Sequence, residues 1–229
     1  MPNAEHQAFR ISLPDGGSTS ALLDRSAHPV AGLVFAHGAG AGMHHAFMQQ
    51  MAEGLAERGI ATLRFQFVFT EQGSRRPDTP ALAQAVVRAA VQEAQVRLPG
   101  VPLFAGGKSF GGRMSSNAQA AGLLEGVRGL VFAGFPLHAA GKPGIERASH
   151  LSRVDVPMLF LQGTRDTLAD LTLIKEVASN LSSKATLQVV EGADHAFHVL
   201  VRSGRTNDEV MKELLDATAG WIAARITLA

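Results

Sequence analysis

Six short segments of the chain are apolar almost throughout, and stretches with helical spacing lie between them. The segments are Gly32–Ala36, Ile60–Phe65, Val101–Gly106, Gly129–Ala133, Val156–Gln162 and Ala185–Val190. Continuous apolarity over so few residues is typical of strands that are covered on both faces. The pattern therefore predicts six buried strands of a mostly parallel sheet.

Apolar residues recur at helical spacing between these strands. The clearest stretches run from Phe47 to Leu55, from Leu82 to Val96 and from Leu171 to Leu181. A last helix is predicted to begin at Thr206, because Thr206 and Glu209 have the spacing of a capping box. Strands that alternate with helices form a parallel sheet with helices on both faces, so the predicted fold class is α/β.

Two further strands are predicted before the first buried one. Phe9–Leu13 and Thr19–Arg25 are separated by a Pro-Asp-Gly-Gly turn, which predicts a hairpin that adds an antiparallel edge to the sheet. The chain of 229 residues contains no internal repeat and no low-complexity linker. A single domain over residues 1–229 is therefore expected.

The composition excludes several classes of function. Lys and Arg number 21 against 20 for Asp and Glu, which gives a net charge of +1 and disfavours nucleic-acid binding. The absence of cysteine removes disulfides and thiolate chemistry. No apolar run is long enough to span a bilayer, and residues 1–17 do not resemble a secretory signal, so we expect a cytoplasmic protein with no membrane partner.

One motif carries recognisable chemistry. Ser109 stands between Gly107 and Gly111, directly after a predicted strand and before a helix of small residues, in the pattern GxSxG. Such a turn lifts a serine hydroxyl above the edge of the sheet, and a side chain at either glycine would clash. The Lys108–Ser109 pair also resembles the end of a phosphate-binding loop, but Pro102 stands where that motif requires glycine.

A nucleophilic serine needs a histidine base and a carboxylate that orients the histidine. Asp166 follows the fifth buried strand and His195 follows the sixth, in the chain order serine, acid, histidine. Asp170 and Asp194 are rival acids, of which Asp170 is better suited to cap a helix. Ser109, Asp166 and His195 are thus the predicted catalytic residues.

Several of these residues have rival interpretations. Ser109 could be an ordinary helix N-cap. His198 is the nearest rival base, and we expect it one helical turn further on, pointing away from the serine. His37, His44 and His45 have no acidic residue among them, so neither a metal nor another cofactor is expected.

The oxyanion of the reaction needs backbone donors. The turn aims the Phe110 N–H at it, and the small residues at 38–42 allow the backbone N–H of Ala39, or failing that of Gly40, to approach the substrate. His37 is expected to anchor this loop through a backbone hydrogen bond. The connections 66–78 and 135–150 are the longest at this edge of the sheet. The connection 135–150 is too short for a large cap domain.

Four side chains near these loops are candidates for lining the substrate pocket. They are His37, Phe67, Leu137 and His138.

The segments 37–42, 107–112, 163–166 and 192–195 stand in the order seen in the α/β-hydrolase superfamily, which this chain resembles over nearly its whole length. The run from Phe135 to His138, with Arg64 and Phe65, is similar to the small branch related to testis-expressed protein 30 and the non-specific-lethal complex subunit 3. The chain is also similar in size to dienelactone hydrolases, but it has serine where those enzymes carry cysteine.

The resemblance implies a serine hydrolase that cleaves an ester or thioester of a small acyl substrate. The sequence does not indicate the oligomeric state of the protein. The alternative is a catalytically silent binding or scaffolding module, because the related branch includes a subunit of a chromatin complex and fold alone does not fix function.

Overall fold

Eight strands form one sheet in the computed structural model, which describes residues 5–227. The strands are β1 (Glu5–Ser12), β2 (Ser18–Arg25), β3 (Ala31–Ala36), β4 (Ile60–Phe65), β5 (Leu103–Lys108), β6 (Val127–Ala133), β7 (Met158–Gly163) and β8 (Ala185–Val190). Residues 1–4 and 228–229 of the predicted domain lie outside the described residues.

Between residues 5 and 227, six α-helices pack on the sheet. They are α1 (Ala46–Ala56), α2 (Val68–Glu71), α3 (Pro80–Arg97), α4 (Phe110–Ala120), α5 (Leu171–Asn180) and α6 (Asn207–Ile226), with a longer 3-10 helix over Glu146–Arg153. The predicted capping box of Thr206 and Glu209 is present at the start of α6. Thr79 and Asp170 cap α3 and α5 with their side chains.

The strand order is β1-β2-β4-β3-β5-β6-β7-β8, and β3 to β8 are parallel. β1 and β2 form the predicted antiparallel hairpin at the edge of the sheet, and β2 pairs antiparallel with β4. Two buried clusters lie on opposite faces of the sheet, one beneath α3, α4 and α5 and the other beneath α1 and α6. The predicted α/β class, with helices on both faces, is confirmed.

Two predicted strands begin later than expected, each after a proline. β5 begins at Leu103 instead of Val101, and β7 at Met158 instead of Val156, because Pro102 and Pro157 have no amide hydrogen to give to the ladder. β5 also continues to Lys108, so that a polar residue ends the strand beside Ser109.

The strand order reverses at β3, because β4 lies on one side of it and β5 on the other. The loops after β3 and β5 therefore start side by side, which is the position where open α/β sheets bind ligands. None of the helices within residues 5–227 is long and apolar enough to cross a membrane.

Candidate active site

Ser109 occupies a strained turn between β5 and α4. Its backbone has φ 50° and ψ −113°, a conformation that L-residues rarely adopt. A Cβ atom at Gly107 would lie 2.2 Å from the carbonyl oxygen of Ala36, and one at Gly111 would lie 2.3 Å from the same oxygen. Both glycines are therefore required by the close packing of this turn against the end of β3.

The structure brings Ser109, His195 and Asp166 together from three separate loops. His195 Nε2 lies 2.9 Å from Ser109 Oγ, and His195 Nδ1 lies 2.7 Å from Asp166 Oδ2. Asp166 also accepts hydrogen bonds from the Gln162 side chain at 2.5 Å and from the Leu168 amide at 2.8 Å. Because the carboxylate is surrounded by donors, His195 carries its proton on Nδ1, and Nε2 is left to accept the serine proton.

The rival residues have other roles. Ser109 stands at the N-cap position of α4, but its side chain makes no capping hydrogen bond. Asp170 accepts hydrogen bonds from two amides at the start of α5, and Asp194 accepts them from the amides of Ala196 and His198. His198 is not one helical turn beyond His195 as expected: Asp194 closes a tight turn, and His198 borders the same cavity as Ser109.

A second serine and histidine are also hydrogen-bonded, Ser116 Oγ to His150 Nε2 at 2.7 Å. Ser116 is fully buried in α4, and its hydroxyl donates to the Arg113 carbonyl at 2.9 Å. With its one proton used there, Ser116 accepts from His150, and within residues 5–227 no carboxylate hydrogen-bonds this histidine. Burial lowers the pKa of His150 to about 4, with nearby arginines adding to the effect. Ser116 therefore has no base that could accept its proton, and its burial keeps a substrate away from it.

The side chains of His37 and Arg64 hold the glycine-rich loop after β3 in place. His37 Nδ1 donates to the Gly38 carbonyl at 2.8 Å and Nε2 accepts from the Phe67 amide at 3.1 Å, so the predicted anchoring role agrees with its contacts. Burial lowers the pKa of His37 to about 4, so the ring stays neutral. Arg64 donates to the Met43 carbonyl at 2.7 Å while paired with the buried Asp24 at 2.8 Å.

This loop and the start of α4 both lie close to Ser109. A Cβ at Gly38 would meet Ser109 Cβ at 3.7 Å, which shows how close the loop comes to the serine. The amides of Ala39, Gly40 and Phe110 donate no hydrogen bond within the part of the chain that the structure describes. These three amides are the ones that the sequence predicts as donors to an oxyanion.

A cavity of about 760 Å³ opens beside Ser109 and His195. Its walls come from the loop at 38–41, from α1, from the turn at 195–198 and from the start of α6. The larger apolar side chains on these walls are Phe47, Met48, Leu168, Phe197 and Met211.

The four predicted pocket residues lie elsewhere. His37, Phe67, Leu137 and His138 are all buried, and none borders the cavity. Phe67 packs edge-on against His37 and Phe110, and His138 accepts a hydrogen bond from the Asp170 amide at 2.9 Å. The prediction that these four side chains line the pocket is therefore wrong, because they are buried inside the protein. The cavity walls come mainly from α1, from the start of α6 and from the turn at 195–198.

Sequence reasoning missed Lys108 and the contribution of α1 and α6. Lys108 borders the cavity beside Ser109, and Phe47 and Met211 face it from two helices that pack on the same face of the sheet. A lysine within GxSxG was the available signal for the first. No group of three or more potential metal ligands occurs within residues 5–227.

Comparison with known proteins places the fold in one family. Residues 29–223 match the family model described as alpha/beta hydrolase domain. Among solved structures, an alpha-beta serine hydrolase homologue from Coxiella burnetii is 22% identical, with a TM-score of 0.76 over 95% of this chain and 98% of that chain. A dienelactone hydrolase from Anabaena variabilis is 19% identical, with a TM-score of 0.78 over 97% and 98%.

A third similar structure, from Xanthomonas campestris, is described as a serine hydrolase without a lid. It is 25% identical, with a TM-score of 0.73 over 95% of both chains.

Proposed function

Since the chain belongs to the alpha/beta hydrolase domain family, we propose that it is a serine hydrolase that cleaves an ester or thioester bond of a small acyl substrate. The observation that carries this proposal is the continuous hydrogen-bonded chain from Ser109 through His195 to Asp166. The same three residues are the ones that the sequence nominates.

The reaction has two halves, in which the acyl group is first transferred to Ser109 and then to water, and the same groups act in both. Ser109 Oγ attacks the carbonyl carbon as His195 Nε2 takes its proton, and Asp166 stabilises the resulting imidazolium. The amides of Phe110 and of Ala39 or Gly40 donate to the tetrahedral oxyanion. His195 then gives this proton to the leaving oxygen or sulfur as its bond to the acyl carbon breaks. A water molecule, deprotonated by the same imidazole, attacks the acyl carbon, and the proton returns to Ser109 Oγ as the carboxylic acid leaves.

The cavity favours a small substrate with an apolar acyl group. Its volume of about 760 Å³ is in the range of small-molecule sites, and Phe47, Met48 and Met211 give it apolar walls. The near balance of positive and negative residues supports a small molecule as the partner in preference to nucleic acid or a membrane. We propose that it acts in the cytoplasm and without a cofactor.

Within the superfamily, we propose that the chain lies in the small branch related to testis-expressed protein 30 and the non-specific-lethal complex subunit 3. The features that support this are Arg64 and Phe65 in β4 and the run from Phe135 to His138. Ser109 in place of a cysteine argues against the dienelactone reaction.

Turnover of matched substrates tests the proposal. We expect the wild-type protein to hydrolyse p-nitrophenyl butyrate or the corresponding butyryl thioester, and Ser109→Ala to lose this activity while its circular dichroism spectrum stays unchanged. Equal rates for the two proteins would refute the role of Ser109. No turnover on a broad ester and thioester panel would favour the scaffolding alternative.

A further inference from the structure

Lys108 comes directly before Ser109, and its side chain lies behind His195. Lys108 Nζ donates a hydrogen bond to the backbone carbonyl of His195 at 2.5 Å. Ser109 Oγ meets the other side of the same residue, at Nε2, at 2.9 Å. Two consecutive residues of the turn thus hold His195, one by its backbone and the other by its ring.

The surroundings of the Lys108 ammonium suit a cation. Nζ lies 5.8 Å from the centre of the Phe47 ring and 5.3 Å from that of Phe197, distances at which an aromatic face attracts positive charge. A Cβ at Gly134 would lie 3.0 Å from Nζ and 3.3 Å from His195 Nδ1. The glycine, which has φ +68°, leaves the space that the ammonium and the imidazole share.

Several ionisable groups face this ammonium. Asp166 and Asp194 act on it from the loops after β7 and β8, but within residues 5–227 no carboxylate lies within 4 Å of Nζ. His195 is in direct contact, and His45 and His198 border the same cavity. Burial lowers the pKa of Lys108 to about 8, against the opposing effect of the two aspartates.

We propose that Lys108 is a positioning residue for His195 and makes no contact with the substrate. Its charge-assisted hydrogen bond fixes the carbonyl of His195, and this places the imidazole between Ser109 and Asp166. The kinetic consequences rest on the proposed hydrolase function. A misplacement of about 1 Å in such an arrangement costs on the order of 100-fold in rate.

Three variants test the proposal: Lys108→Met removes the ammonium, Lys108→Arg keeps a cation, and Lys184→Met is the matched control. Lys184 also donates to a backbone carbonyl, that of Val154 at 3.0 Å, but away from the site. The substrates are p-nitrophenyl valerate and the mono-p-nitrophenyl ester of glutarate, which differ by a terminal carboxylate.

We expect Lys108→Met to lower kcat about 10- to 100-fold for both esters with KM unchanged. Lys108→Arg restores part of kcat, and Lys184→Met matches the wild type. An unchanged kcat in Lys108→Met would overturn the proposal. A loss confined to KM for the glutarate ester would also overturn it, because Lys108 would then bind a substrate carboxylate.

The pH dependence gives a second test, which does not require the methionine variant to fold. Wild-type kcat should decline as the pH rises through about 8, where the ammonium loses its charge. In Lys108→Arg this decline should move to higher pH, because a guanidinium stays charged. The same midpoint in both proteins would contradict the proposal.

A measurement independent of turnover separates this proposal from the proposed function. The proton on His195 Nδ1 that bonds to Asp166 should give a downfield NMR resonance in the wild type and in Lys184→Met, and should broaden or shift in Lys108→Met. An identical resonance in Lys108→Met would refute the positioning role. A normal wild-type resonance without any ester turnover would instead refute the proposed function.

Discussion

At the scale of single residues, the candidate site depends on which atom of His195 carries the proton. Asp166 accepts from His195 Nδ1, from Gln162 and from the Leu168 amide, so it accepts hydrogen bonds on both oxygens. This arrangement leaves His195 Nε2 facing Ser109 as an acceptor. In the proposed reaction, Asp166 would therefore prepare His195 as the base without itself contacting the substrate.

Asp166→Asn tests this arrangement. An amide nitrogen in place of Oδ2 favours the histidine tautomer with the proton on Nε2, which cannot accept the serine proton. We expect kcat for ester hydrolysis to fall by about 10⁴-fold. The free energy of unfolding should fall as well, because an asparagine cannot accept from both the Gln162 side chain and the Leu168 amide.

Asp170→Asn is the matched control for this substitution. Asp170 accepts from the Thr172 and Leu173 amides, which an asparagine oxygen can also do, so its kcat should equal that of the wild type. Equal activity in the Asp166 and Asp170 variants would show that Asp166 does not orient the base.

The sequence could predict the residues that meet at this site but not those around it. Ser109, Asp166 and His195 are recognisable because each follows a buried strand in a known order. Phe67 and His138 are predicted as pocket residues only because they belong to loops at this edge of the sheet. Whether a loop side chain points inward or towards the substrate depends on packing between distant elements, which the local pattern does not record.

At the scale of elements, close contact between β3 and the start of α4 holds the serine turn. Gly111 lies within α4, where a Cβ would come 2.3 Å from the Ala36 carbonyl oxygen. Gly220 lies within α6 and is exposed, and a Cβ at this position would have open space around it. The two helical glycines thus differ mainly in the space available for a methyl group.

Alanine substitution at these two glycines should have opposite effects. Gly220→Ala should raise the free energy of unfolding by about 0.5–1 kcal/mol, because alanine is the better helix former. Gly111→Ala should lower it, and should lower kcat as well, because the turn that carries Ser109 must move. Urea unfolding and ester kinetics measure both effects, and a stabilised, fully active Gly111→Ala would contradict the described packing.

The strand pattern was also predictable at this scale, although strand order was not. β4 and β8 have the predicted bounds, whereas β5 and β7 begin after their prolines. The short helix α2 lies within the predicted connection 66–78, and the 3-10 helix at Glu146–Arg153 begins within the predicted connection 135–150. Elements of so few residues carry too little periodicity to be distinguished from a loop.

At the scale of the whole molecule, two buried histidines link stability to pH. Burial lowers the pKa values of both His37 and His150 from 6.5 to about 4. Between these two values the unfolded chain binds protons that the folded protein does not. The contribution of the two histidines to the free energy of unfolding is therefore fully present above pH 6.5 and is lost as the pH falls towards 4. Each residue contributes a slope of about 1.4 kcal/mol per pH unit.

Urea unfolding at pH 7 and pH 5 measures this dependence. His150→Gln should reduce the loss of unfolding free energy between the two pH values, while His28→Gln, at an exposed position, should leave it unchanged. The same loss in the wild type and in His150→Gln would contradict the neutral, buried state of His150.

Ser109, and not the buried Ser116, is expected to be the activated nucleophile. Intact mass after treatment with a fluorophosphonate probe tests this expectation on the wild type, Ser109→Ala and Ser116→Ala. We predict a single adduct on the wild type and on Ser116→Ala, and none on Ser109→Ala. An adduct that persists in Ser109→Ala, or a folded wild-type protein that takes up no probe, would show that Ser109 is not the activated nucleophile.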